Sequence, residues 1–238
     1  MSAGRDKPAG WLPTRAETSV ILLLALVRAV HLAGMLRDPL AGVPLMDPQY
    51  HDLWAQNIAK GHLTFEGPFF RAPLYAYFLG LLYSISGFSI AFARAAQLAL
   101  GLLSVFFLMR IGARTFGARA GLIAGAAYGI YPIAMRTEGD LLVEGLFVLL
   151  ILAALLAYLR ALERPTRFRW FGTGLLLGLA AITRPNILVF ALAVPVLTAL
   201  VRRGLGSPPP LRRSSRNPGG GLAAPRTAAG GSDAGPGP

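Results

Sequence analysis

Apolar runs close to twenty residues long recur between Ser19 and Val201, and this recurrence constrains the fold more than any other feature. A helix of about twenty apolar residues is what a hydrocarbon layer about 30 Å thick requires. Lipid is therefore the solvent for most of the chain. The composition agrees: 54% of the 238 residues are hydrophobic and 14% are charged, where a globular domain carries about one quarter charged residues. The absence of cysteine excludes a disulfide scaffold, a thiolate metal site and a cysteine nucleophile. The formal charge of +12 would suit nucleic acid, but the arginines flank apolar segments instead of clustering on one soluble face. That is how cytoplasmic anchors are distributed, and nucleic-acid binding is rejected.

The first segment, 1–18, carries Arg5, Lys7 and Arg15 and reads as a cytoplasmic tail. Ser19 to Leu36 reads as an uncleaved transmembrane helix interrupted by Arg28 and His31. A polar outer loop, 37–73, follows. Within it Asp47 to Lys60 has helical spacing, and Tyr50, Leu53, Trp54, Asn57 and Ile58 fall near one face of a helix at the membrane surface. Further apolar segments are Arg94 to Ile111, Arg119 to Met135 and Leu141 to Leu159, and a shorter pair, Phe171 to Thr183 and Ile187 to Val201, is split by Arg184-Pro185-Asn186.

Charge orients these spans. Arg110, Arg114 and Arg119 form one cluster, and Arg160, Arg164, Arg167 and Arg169 another; both are predicted to be cytoplasmic. Seven of the eleven acidic residues (Asp38, Asp47, Asp52, Glu66, Glu138, Asp140 and Glu144) then fall on connections placed outside. Leu74 to Ala91 is apolar enough to span, but a crossing there would invert every later assignment. Its tyrosines and glycines suit an interfacial or re-entrant element, which is the favoured reading. The last segment, 204–238, holds nine glycines and seven prolines in 35 residues. It cannot bury enough surface to offset the entropy of ordering and is predicted to be a disordered tail. Its abrupt start after Arg202-Arg203 looks like a coding sequence that has left its frame.

Several groups can carry chemistry. Asp47 opens the outer-loop helix, where a carboxylate either caps the N-terminus or accepts a proton from a hydroxyl nucleophile. Arg71, followed by Ala72-Pro73-Leu74-Tyr75, either holds a phosphate bidentately or snorkels to anchor the next segment. Glu138, Asp140 and Glu144 can bind a divalent cation, orient an acceptor or solvate a helix terminus; the last two are four apart, hence predicted on one helix face. Arg184 lies where an unpaired charge is costly, so it should face protein or a polar cavity. His31, His51 and His62 lack metal-ligand spacing. No phosphate-cradling glycine loop, serine nucleophile elbow or dinucleotide motif is present.

Taken in order, these blocks resemble the N-terminal module of the membrane-embedded GT-C glycosyltransferases, specifically the dolichyl-phosphate-mannose–protein mannosyltransferase-like group. The residues that carry the resemblance are Asp47, Tyr50 and Ala55, then Ile58-Ala59-Lys60-Gly61 and Phe69-Phe70-Arg71-Ala72-Pro73-Leu74-Tyr75. The arginine loop with Gly117, Tyr131-Pro132, Glu144 and the string from Gly178 to Pro185 complete it. The match runs from about Ser19 to Arg203.

The resemblance implies an all-α, polytopic transmembrane bundle of GT-C type in the plasma membrane. It implies a polyprenyl-phosphate-linked sugar donor and transfer to an acceptor protein, glycan or lipid on the outer face. Asp47 would then activate the acceptor hydroxyl, Arg71 and Arg184 would hold the donor phosphate, and Glu144, with Glu138 and Asp140 beside it, would serve acceptor or metal. Family members are usually longer, with more spans and often an outer domain, so this chain reads as roughly half of that architecture and as a candidate truncated product. Two other function classes stay open. A transporter would need internal repeats with polar residues in mid-span, which are hardly visible; a noncatalytic membrane scaffold would have no need of Asp47.

Overall fold

A computed structural model describes residues 13–40, 42–64 and 71–204, with side chains as far as residue 200. The described residues form helices and connections, with no strand. In chain order the helices are α1 (Arg15–Met35), α2 (Asp47–Ala59), α3 (Leu74–Ser86), α4 (Ile90–Thr115), α5 (Ala118–Gly129), α6 (Pro132–Gly139), α7 (Glu144–Glu163), α8 (Arg167–Thr183) and α9 (Leu188–Gly204). A single 3-10 turn, Pro185–Ile187, separates α8 from α9. The chain divides at Pro195, inside α9, into the compact units Met1–Val194 and Pro195–Pro238. All that follows concerns the first unit; the tail expected over 204–238 lies, beyond Gly204 itself, outside the described residues, as do residues 1–12.

Three helices, α1, α4 and α7, are long and apolar enough to cross a membrane. α1 starts with a capping box, in which Thr14 accepts from the Glu17 backbone while Glu17 accepts from that of Thr14. Glu17 also pairs at 3.0 Å with Arg110, near the far end of α4. Arg114, one turn on, pairs at 2.8 Å with Glu163 at the end of α7. The start of α1 and the ends of α4 and α7 therefore share one end of the bundle, with both arginine clusters. The other end holds the start of α4, where the Arg94 Nε donates to the Gly139 carbonyl at 2.7 Å and the Gln97 amide donates to the carbonyls of Glu138 and Asp140. Both arginine clusters thus lie at one bundle end, where Glu17 and Glu163 pair with them, and Glu138 and Asp140 lie at the other.

The segment expected over Arg119 to Met135 is not one helix. It breaks at Tyr131, whose extended backbone (ψ 115°) is what a following proline favours. The 12 residues of α5 reach about 18 Å, short of a hydrocarbon layer. α3 is similarly short at 13 residues. The Tyr75 hydroxyl donates to Gln97 of α4 and the Tyr83 hydroxyl to Asp52 of α2, so α3 is held against both helices. α2 and α3 pack closely through Gly80, where a Cβ would lie 3.2 Å from the Ala55 carbonyl and closer still to Ile58. α2 buries His51, Asp52, Trp54, Ala55 and Ile58 and leaves Leu53 54% exposed.

Candidate active site

α2 begins at the acidic end after an unusual backbone. Met46, at φ 59° and ψ −121°, sits where a side chain is strained, at a cost on the order of 1–3 kcal/mol. It makes no side-chain capping bond. Asp47 is not the cap expected from the sequence, but the first residue inside the helix. Its carboxylate is turned to Arg71, whose Nη2 donates to it at 2.6 Å. The pair is half-exposed, and the Arg71 guanidinium also lies 6.0 Å from the centre of the Tyr50 ring. A guanidinium presents five N–H donors in a planar fork, the geometry that matches carboxylate and phosphate oxygens.

Arg184 is the C-cap of α8, held extended by the proline that follows. It is charge-paired to Glu144, the first residue of α7, and lies 5.8 Å from the Phe147 ring centre. The requirement that Arg184 face protein or a polar cavity is met on both counts. Arg71 and Arg184 line one cavity of about 280 Å³, with His51, Ala72, Val143, Thr183, Pro185 and Asn186. Asp47 lines a second cavity, of about 580 Å³, with Arg94, Arg136, Asp140 and an apolar wall that includes Met35, Leu45 and Leu141. The ion pair stands between the two: its acid lines one cavity and its base the other.

Asp140 and Glu144 do not share a helix face. Asp140 ends α6 with an extended backbone (ψ 151°), and Glu144 opens α7, because the chain turns between them. Asp140 lies 4.0 Å from the exposed Arg136. Glu138 is 4% exposed and ion-paired with the equally buried Arg28 of α1. Its carboxylate occupies space that a Cβ on Gly101 would fill. Among the described residues no group of three His, Cys, Asp or Glu side chains is placed to hold a metal ion.

Sequence reasoning missed two contributors. His51 is 2% exposed in the Arg71–Arg184 cavity, packed edge-on to Tyr75 at 4.9 Å. Burial, and then the Arg71 charge, pull its pKa down to about 4 against a weaker pull upward from Asp47, so the ring is neutral at physiological pH. Arg94 is 7% exposed and lines the larger cavity. Its only sequence signal was a charge at the edge of an apolar run.

No curated protein and no solved structure matches the chain. The profile of the dolichyl-phosphate-mannose-protein mannosyltransferase family matches residues 70–211, taking in Arg71, Glu138, Asp140, Glu144 and Arg184 but starting after Asp47. With 142 of its 238 residues inside that match, the chain belongs to the dolichyl-phosphate-mannose-protein mannosyltransferase family, a family of membrane glycosyltransferases.

Proposed function

We propose that the chain carries the active site of a GT-C glycosyltransferase that moves a sugar from a polyprenyl-phosphate-linked donor to an acceptor hydroxyl on the outer face of the plasma membrane. The observation that carries this reading is the Asp47–Arg71 pair between two cavities. In the reaction the acceptor oxygen bonds to the sugar C1 and the bond from C1 to the phosphate oxygen breaks. The electron pair leaves with polyprenyl phosphate. Asp47 takes the hydroxyl proton, and Arg71 and Arg184 hold the departing anion. Asp140 lines the cavity of Asp47, and Glu144 stands against Arg184 at the other cavity, as candidates to orient the acceptor or to hold a divalent cation.

The domain reading that goes with this is a catalytic module over 19–203 between a cytoplasmic tail, 1–18, and the segment 204–238. Outward placement of Asp47 follows if the arginine clusters of the opposite bundle end are cytoplasmic. Single-cysteine labelling of Thr115→Cys tests it, and reaction of that position from outside intact cells contradicts it. The donor site is tested by binding a polyprenyl-phosphate analogue to the purified chain. Arg71→Lys should bind more weakly although the charge is kept, since a bidentate fork becomes a point charge. Equal affinity for wild type and Arg71→Ala would leave Arg71 a membrane anchor only.

A further inference from the structure

The connection from α7 to α8 carries Arg160, Arg164, Arg167 and Arg169 within ten residues. The Arg169 Nη1 donates to the carbonyls of Arg160 and Arg164 at 3.1 Å each, which draws the turn together and holds that guanidinium at the end of α7. Arg164 and Arg167 are exposed. Charges of one sign held this close repel unless something offsets them. The carboxylates paired with arginine at this end of the bundle are Glu163, held by Arg114 at 2.8 Å, and Glu17, held by Arg110 at 3.0 Å. Among the described residues no ion pair includes Arg164, Arg167 or Arg169. The turn and these two pairs together hold six arginines against two glutamates. Arg167 and Arg169 also fall in the first turn of α8, which has no acidic residue, although a helix N-terminus is itself the positive end of the dipole. Positive charge is in clear excess here.

The outer side of the same turn is apolar. Phe168, between two of the arginines, is 88% exposed, and Phe171 is 70% exposed. With Leu175 and Ile182, also exposed, they fall on one face of α8 at helical spacing. Gly178 lies on that face too, and an added Cβ there would meet nothing within 4 Å. Trp170 packs edge-on against Tyr158 of α7 at 6.0 Å, an aromatic pair of the kind that sits at headgroup level. A positive turn that continues into an apolar helix face matches a molecule with an anionic head and a hydrocarbon stem. α7 is long and apolar enough to cross a membrane and ends at this turn, so the bilayer itself presents such molecules to it.

We propose that the α7–α8 turn binds the phosphate of an anionic phospholipid, with an acyl chain laid along the Phe168–Ile182 face of α8. Arg164 and Arg167 are exposed to meet the phosphate, and a planar guanidinium suits two of its oxygens. Arg160 and Arg169, half-buried, add to the attraction for a negative headgroup. The site lies at the end of α7 opposite Glu144, about 30 Å away along a 20-residue helix, so it stands apart from the proposed transfer site. Because α8 runs from this turn to Arg184, the bound lipid anchors the depth at which the helix break sits in the membrane.

Dioleoyl phosphatidylglycerol is the probe, titrated into the full chain in neutral detergent and read as lipid adducts by native mass spectrometry. Saturable binding is expected, roughly tenfold or more tighter than that of dioleoyl phosphatidylcholine, which has the same chains and no net charge. Glycerol phosphate, the head without the chains, should bind roughly tenfold or more weakly than the lipid for want of a stem. Arg164→Gln combined with Arg167→Gln removes two exposed charges at positions that do not threaten folding, and should weaken phosphatidylglycerol roughly tenfold or more. Arg37→Gln, exposed at the other end of the bundle, should leave it unchanged. Equal affinity for the two lipids overturns the proposal, as does unchanged affinity in the double variant. The same loss in Arg37→Gln also overturns it, since the attraction would then be to net charge and not to this turn. Equal affinity for glycerol phosphate overturns the lipid and leaves a free-anion site.

Discussion

Arg184 and Glu144, forty residues apart, are charge-paired across the gap between the end of α8 and the start of α7. The helix break, Thr183 to Asn186, lines the cavity that Arg71 also lines. Because Arg184 is 42% exposed at its side chain, the pair itself should contribute no more than about 1 kcal/mol to stability. Its role in the proposed reaction is larger. Arg184→Gln should raise the donor KM roughly tenfold, the loss expected for a charge-assisted hydrogen bond, while the melting temperature stays within a few degrees of wild type. Steady-state kinetics against donor concentration measure this, and an unchanged KM removes Arg184 from the donor site.

The pair between Arg28 and Glu138 should behave in the opposite way. Both side chains are buried, and Gly101 leaves room for the carboxylate. Glu138→Gln strands a buried guanidinium and should destabilise the chain by about 3–5 kcal/mol. Adding Arg28→Met should restore much of that loss, because the stranded charge is then gone. Thermal denaturation in detergent reads both. A Glu138→Gln protein that melts like wild type but loses transfer would instead make Glu138 an acid of the site.

How far the site could be read from the sequence differs residue by residue. The apolar runs and the arginine clusters are local signals, and a helical bundle with both clusters at one end follows from them. Asp47, Arg71 and Arg184 stood out because a charge beside an apolar run is costly without a reason. Their partners did not: Arg71 finds Asp47 twenty-four residues away and Arg184 finds Glu144 forty away, and no periodicity encodes either contact. The burial of His51 and Asp52 on α2 was not legible, because it depends on two residues of α3: Tyr75 packs edge-on to His51, and Tyr83 donates a hydrogen bond to Asp52. The single helix expected over Arg119 to Met135 ignored Pro132, a local signal that outweighed hydropathy.

Stability should depend on His51. Its pKa is about 4 in the folded chain, and near 6.5 when unfolded, so between these values the unfolded chain binds more protons. Stability is therefore full above about pH 6.5, falls as pH is lowered through that window, and is lower by roughly 3 kcal/mol once pH is below 4. His51→Phe keeps an aromatic edge against Tyr75 and should flatten this part of the profile. Melting temperatures at pH 7.5 and about pH 5 that fall equally for wild type and His51→Phe would assign the acid sensitivity to other groups.

Asp47→Asn tests the central claim most directly. The change keeps the size of the side chain and its place at the start of α2, but removes the carboxylate that takes the acceptor proton. The measurement is release of polyprenyl phosphate from a labelled sugar donor, by wild type and variant inserted equally in membranes. The proposed reaction predicts a wild type that turns over and an Asp47→Asn chain slower by roughly two to four orders of magnitude, the span for losing a general base. Full release by Asp47→Asn would contradict it.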